Sequence, residues 1–321
     1  MKNKLKIAAA QFETRDGDKD YNLKKMEDLI GRAAREGADA ISFHELCTTG
    51  YTFLKNLDRE SLMRLAEEIP EGVTTQNLIS LAGRYDIVVL AGVLEREGEK
   101  IFNSYVAVDS EGVLSRFRKI HPFISSYMSP GNEYVVFDLK GWKCGILICY
   151  DNNVIENVRA TTLLGAEIVF APHVTGCTPS SMPGRGFVAD ELWQNREEDP
   201  VPLRMEFDGP KHRGWLMRWL PARAFDNGVY YVFSNPIGYE GEHLKGGNAM
   251  ILDPYGELLA ETRSFESDLA TAILTREKLT LAGGYRYRNA RRPELYADIL
   301  GRNHQAETKP YWLKEERKRS S

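Results

Sequence analysis

The chain has little of what would assign it quickly. Its 321 residues include only four cysteines, Cys47, Cys144, Cys149 and Cys177. Their spacing forms neither a metal-ligand set nor a disulfide framework, which argues against a zinc module and a stapled secreted scaffold. No apolar stretch approaches the ~20 residues that span a bilayer. The first apolar run, Ile7-Ala8-Ala9-Ala10-Gln11-Phe12, is too short for a signal-peptide core and has no cleavage region. Excess positive charge is missing too: 42 Lys and Arg against 46 Asp and Glu leave a formal net charge of −4, unlike a general nucleic-acid binder. A reduced, cytoplasmic protein is the expectation.

What is present is a composition of 42% hydrophobic and 27% charged residues, enough for a sizeable core. Apolar, β-favouring runs occur at residues 5–12, 40–44, 87–93 and 105–109, with a helical pattern between the first two. The order returns in the second half, where runs at 143–149, 167–171, 229–234 and 249–253 enclose a helical pattern at 154–164. In the first helix Leu23, Met26, Ile30, Ala33 and Ala34 share one face, and Gly37 supplies the stop. Several strands are apolar almost throughout, so both of their faces must be covered. Two such halves predict an α/β protein built as a four-layer α-β-β-α sandwich.

Residues 1–275 are expected to form this domain and residues 276–321 a C-terminal arm for packing or subunit contact. Between them, residues 177–214 contain Cys177-Thr178-Pro179, Met182-Pro183-Gly184-Arg185-Gly186 and Asp199-Pro200-Val201-Pro202, whose Gly and Pro oppose regular structure. A lid over a site and a plain surface excursion are both open readings.

Three segments carry the chemistry. Phe43-His44-Glu45-Leu46, Phe117-Arg118-Lys119-Ile120 and Ile146-Leu147-Ile148-Cys149-Tyr150-Asp151 each end an extended run with a carboxylate, an ammonium or a thiol. Together such groups activate a nucleophile, move its proton and stabilise an oxyanion on a carbonyl or nitrile carbon. Cys149 lies on a strand–turn–helix elbow, where a helix N-terminus is expected to lower its pKa. Each group also has an ordinary reading: a buried cysteine as a small hydrophobe, a solvated strand-end Glu, an exposed Lys. Cys144 and Cys177 read as structural, and Cys47 is ambiguous. His44, Glu45 and Cys47 lie close together but form no metal motif. A Cys–His dyad using His173 remains open, although it leaves Glu45 and Lys119 unexplained.

These segments identify the chain as resembling the nitrilase superfamily of carbon–nitrogen hydrolases. The resemblance runs nearly end to end. It is carried in order by Ala8-Ala9-Ala10-Gln11-Phe12, the three segments above, Ala222-Arg223-Ala224-Phe225-Asp226-Asn227-Gly228 and Arg291-Arg292-Pro293-Glu294-Leu295-Tyr296. It implies an α-β-β-α sandwich that commonly dimerises, no cofactor and no metal, with Glu45 as general base, Lys119 as oxyanion stabiliser and Cys149 as nucleophile. Cys149-Tyr150-Asp151 resembles amidase members more than nitrilases. A second glutamate that many members carry after the lysine is absent from residues 121–131. Glu133 lies beyond the Pro130-Gly131 turn, and Ser125, Ser126 or Tyr127 offers a neutral substitute.

The expected substrate is a small linear amide, an ω-amide or a carbamoyl amine, with nitrilase, amine acyltransferase and non-catalytic binding protein as alternatives. Tyr150, Tyr127 and His173 are further pocket candidates. Arg185, Arg204 and Arg213 are candidates for a substrate carboxylate, because guanidinium offers paired donors.

Overall fold

The computed structural model describes residues 2–178 and 182–302. The chain opens with β1 (Lys4–Gln11), helix α1 (Lys19–Arg35) and β2 (Ala40–Ser42), then α2 (Arg59–Leu65), α3 (Val73–Tyr85) and the antiparallel run β3 (Val88–Glu97), β4 (Lys100–Val108) and β5 (Val113–Arg118). The second half opens with β6 (Val136–Leu139) and β7 (Trp142–Ile146), followed by α4 (Ile155–Leu163) and β8 (Ile168–Pro172). Four helices follow: α5 (Asp190–Gln194), α6 (Pro200–Asp208), α7 (Arg213–Leu216) and α8 (Leu220–Asn227). The body closes with β9 (Tyr230–Ser234), the hairpin β10 (Ile237–Glu240) and β11 (His243–Gly246), β12 (Met250–Leu252), β13 (Leu258–Glu261) and β14 (Asp268–Thr275). Helices α9 (Arg276–Leu281), α10 (Gly283–Asn289) and α11 (Ala297–Leu300) complete the described chain.

Two six-stranded sheets result, ordered β14-β1-β2-β3-β4-β5 and β13-β12-β9-β8-β7-β6. Each has three parallel strands at its centre, β1-β2-β3 and β7-β8-β9. Antiparallel strands flank them, so the repeat seen in the sequence is a repeat of topology.

Alternation along β1 shows how the layers assemble. Leu5, Ile7 and Ala9 point into the interior shared with Ile146, Ile168, Phe170 and Val232 of the other sheet. Ala8 and Ala10 point outward under Met26 and Ile30 of α1 and Leu78 of α3. Helices α4 and α8 contact the second sheet and each other. The four-layer sandwich is therefore present. Ser234 at the end of β9 ties the sheets together, donating to the Ser42 carbonyl at 2.9 Å.

One expectation needs correction. Residues 177–214 carry α5, α6 and α7 despite their prolines. Asp199 caps α6 through its side chain and Pro200 occupies the first turn, where a missing N–H costs nothing. The segment is also packed down: Cys177, Val188, Trp193, Leu203 and Phe207 share a core with Ile237 and Leu244 of the hairpin. Residues 179–181 of this segment lie outside the described residues, as do residues 303–321 of the expected C-terminal arm. What is described of the C-terminal arm folds against the body, with Leu279 and Ala282 buried and Lys278 bonded to Asp253 at 2.5 Å.

Candidate active site

Glu45 sits in a turn immediately after β2, 1% exposed. That turn lies so close to β3 that a Cβ on Gly92 would come 2.1 Å from the Leu46 nitrogen, so only glycine fits. Thr48 Oγ1 donates to the Gly92 carbonyl at 2.8 Å, and the Gly92 N–H donates to the Cys47 sulfur at 3.3 Å. Cys47 thus holds the turn in place.

Lys119 follows β5, with its N–H on the Asn103 carbonyl at 2.8 Å. Its Nζ donates to Glu45 Oε1 at 2.5 Å, and Asn103 Nδ2 donates to the same oxygen at 2.6 Å. The ion pair is wholly buried. The ammonium lies 4.8 Å from the Phe123 ring centroid and 5.3 Å from that of Tyr51. Burial works to lower the Lys119 pKa, but Glu45, Cys149 and Asp151 together outweigh it and hold the value above the ordinary lysine range.

Cys149 comes from the other sheet. It opens a short 3-10 turn, Cys149–Asn152, with φ of +48°, a left-handed conformation that non-glycine residues seldom adopt. Its surroundings fix that strain. Asn152 Nδ2 donates to the carbonyls of Leu147 (2.7 Å) and Cys149 (3.1 Å), and Arg223 Nε donates to the Asn152 carbonyl at 2.9 Å. Asp151 accepts N–H bonds from Ile148 and His121.

The thiol interacts with the Glu45 carboxylate, the Lys119 ammonium and the Val174 backbone N–H. Burial first, then the Glu45 charge, push it up to about 12 against the opposing pull of Lys119. This reverses the expectation of a lowered pKa: desolvation and an adjacent anion outweigh a helix end. The resting group is a neutral thiol.

The other candidates divide. His173 is buried against Phe233 and Trp219 (ring centroids 4.7 and 5.5 Å). Its Nδ1 lies 2.9 Å from the Ala171 carbonyl and must be the donor, and burial lowers its pKa to about 3. It makes no hydrogen bond to Cys149 among the described residues. Tyr150 packs edge-on to Phe123 at 5.8 Å, beside the Lys119 ammonium. Tyr127, Ser126 and Glu133 are exposed.

Arg213 is spent on Glu261, at 2.7 and 3.3 Å. Arg204 faces Asp208 at 3.8 Å on an open groove of about 620 Å³ that contains none of the three reactive groups. Arg185 lies over the Trp215 ring at 3.8 Å, and its buried Nε has no acceptor.

No group of His, Cys, Asp and Glu among the described residues could hold a metal ion. None of the described helices is long and apolar enough to cross a membrane.

Several neighbours of the site carried no signal strong enough to find them. Asn103 shows only as a polar interruption of Ile101-Phe102-Asn103-Ser104-Tyr105. Tyr51, buried with an unpartnered hydroxyl, lies beside Lys119. Glu240 receives the N–H groups of Tyr51 and Thr52. With residues 121–131 lacking a carboxylate, Asp151 and Glu240 are the buried acids beside this cluster.

Comparison with known proteins places the chain in a family and agrees with its fold. The Carbon-nitrogen hydrolase family model matches residues 6–283. An (R)-stereoselective amidase from Pseudomonas sp. is 30% identical over 260 residues, covering 80% of each chain. A nitrilase from Pyrococcus abyssi is 29% identical over 84% of this chain and 88% of its own. The fold is shared with the amidase from Nesterenkonia sp. AN1, seen as a variant in complex with acrylamide, at a TM-score of 0.68 and 21% identity over 93% of this chain and 98% of that one. The chain belongs to the carbon–nitrogen hydrolase family, within the nitrilase superfamily.

Proposed function

We propose that the protein hydrolyses a small linear amide, an ω-amide or a carbamoyl amine, through a Cys149 thioester. The observation that carries this reading is a buried Glu45–Lys119 pair, 2.5 Å apart, facing a neutral thiol held on a strained elbow. Because the resting thiol holds its proton, attack and deprotonation must go together. Cys149 Sγ bonds to the amide carbon while Glu45 takes the thiol proton. The Lys119 ammonium, assisted by the Tyr150 backbone N–H, meets the oxyanion. Glu45 returns the proton to the leaving nitrogen and ammonia departs. Water then gives its proton to Glu45 and attacks the thioester, releasing the acid and restoring the thiol. No cofactor enters the cycle.

Cys149 is only 8% exposed, which favours small substrates over peptides. We also infer a cytoplasmic homodimer. All four cysteines are free, and Phe225, Leu281, Tyr285 and Tyr287 of α8–α10 are exposed apolar groups that a second subunit would cover. Light scattering would measure the mass.

The test of function is ammonia release from a panel of amides, carbamoyl amines and nitriles, comparing wild type with Cys149→Ala. Release that disappears in the variant supports a thiol hydrolase and names its substrate class. A folded wild type that releases nothing from any compound refutes the reading.

A further inference from the structure

A second lysine is buried near Cys149. Lys245 lies on β11, 1% exposed and among the largest fully buried side chains, yet it makes no ion pair or hydrogen bond among the described residues. A buried ammonium without a counter-ion is strongly disfavoured by desolvation. Lysines in such places are ordinarily paired.

Its position relates it to the reactive groups. In the β10–β11 hairpin Lys245 stands opposite Gly238 and Glu240 opposite His243. Residues directly opposed share a face, as do residues two apart on one strand, so Glu240 and Lys245 leave the same side. Glu240 is committed to the N–H groups of Tyr51 and Thr52 and to the Thr52 hydroxyl. It docks this side of the hairpin onto Tyr51, whose ring lies 5.3 Å from the Lys119 ammonium. The Lys245 ammonium feels Glu240 first, then Cys177 and Cys149, and against them a second cation, Arg185. Among the described residues Arg185 also has no carboxylate partner; it is stacked on Trp215 and its buried Nε has no acceptor there. Of these two cations Lys245 is opposed chiefly by Glu240, which is already committed to Tyr51 and Thr52, and the residual positive charge calls for an anion supplied from outside.

We infer that Lys245, backed by Arg185, forms an anion subsite for a carboxylate at the far end of the substrate, so that the preferred substrates are ω-amide acids or N-carbamoyl acids. This rests on the amide-hydrolase reading and narrows it. Neutral and cationic amides leave Lys245 without its counter-ion, which sets the specificity by exclusion as well as attraction. Burial lowers the Lys245 pKa, and a bound carboxylate favours the charged form.

The test compares kcat/KM for malonamate, succinamate and glutaramate with their methyl esters, in wild type, Lys245→Met, Lys245→Arg and Arg185→Gln. Wild type is expected to favour the best acid over its ester by about 10- to 100-fold, the range of a charge-assisted hydrogen bond. The ratio falls toward one in Lys245→Met, is partly rescued in Lys245→Arg, and falls less in Arg185→Gln. Turnover of acids and esters without preference, or a preference that survives Lys245→Met, overturns the subsite and leaves the hydrolase standing.

If no compound turns over, the hydrolase reading fails and calorimetry on folded Cys149→Ala protein decides the subsite. Glutaramate or succinamate binding that weakens at least tenfold on adding Lys245→Met supports it. Absence of binding, or binding indifferent to Lys245, overturns it.

Discussion

Replacing Glu45 with Gln removes a charge that raises the Cys149 pKa and that, in the proposed mechanism, accepts its proton, so the two effects should separate. With Glu45 present the thiol stands at about 12, and at neutral pH roughly one molecule in 10⁵ is a thiolate. A unit charge near contact distance, ~4 Å, at an effective dielectric of about 20 is worth ~4 kcal/mol, or roughly three pKa units. In Glu45→Gln the anion is gone while Lys119 still pulls the other way. The thiol should therefore fall toward ~9 and the thiolate fraction rise about a thousandfold. Intrinsic nucleophilicity declines with pKa, which reduces the gain in alkylation to roughly 30-fold. Amide hydrolysis should drop by about 10²–10⁴, because the general base is lost. The assay is a pH titration of thiolate absorbance, with iodoacetamide labelling of Cys149 read by peptide mass spectrometry. A titration midpoint that stays near 12, or hydrolysis at the wild-type rate, would refute the reasoning.

Asn103→Leu removes the second donor to Glu45 Oε1. The loss should lower kcat by about tenfold or more, at the ~1.5–3 kcal/mol of a bond to a charged group, with far-ultraviolet dichroism unchanged. Gly92→Ala drives a Cβ into the Leu46 nitrogen at 2.1 Å. It should cost about 1–3 kcal/mol in urea unfolding, together with most of the activity, because the Glu45 turn must move. Lys119→Met leaves the Glu45 carboxylate buried without its cation and should destabilise the fold by about 3–5 kcal/mol. A double variant with Glu45→Gln should recover part of that loss. Acid denaturation should begin early. His44, His173 and His212 are pushed down to about 3 by burial. The unfolded chain therefore binds more protons as pH falls below the histidine reference of 6.5, and stability declines by up to about 4 kcal/mol per pH unit for the three together. Asp16, raised to about 6 by burial and then Glu240, works in the opposite direction and offsets one proton between 6 and 3.8. Urea titrations across this range that show flat stability would contradict the assignment.

The three candidate groups that the fold brings together were legible because each ends an apolar run, so the chain itself marks where a sheet stops and a polar side chain begins. The layers were legible for a similar reason: Ala8 and Ala10 alternate with Ile7 and Ala9, and one strand cannot be apolar on both sides without cover on both. Residues such as Asn103, Tyr51 and Lys245 were not legible. Their roles come from contacts between β4, the turn after β2 and a hairpin far along the chain, which no local pattern encodes. Proline misled at 177–214, where Pro200 starts a helix behind Asp199. At Cys149, a helix-end argument considered one local term, whereas burial and Glu45, which lies 104 positions away in the chain, decide the outcome.

The division of labour between the sheets has a developmental side. Glu45 and Lys119 ride on the first sheet and Cys149 on the second, joined across the interior by contacts such as Ser234 on the Ser42 carbonyl. Until the two sheets meet, the first carries only an ion pair and the second only a thiol, and the first is itself completed by β14 from far along the chain. The proposed reactivity needs both slabs in place, and on heating it should vanish at the moment they part. Turnover is thus a gauge of that closure.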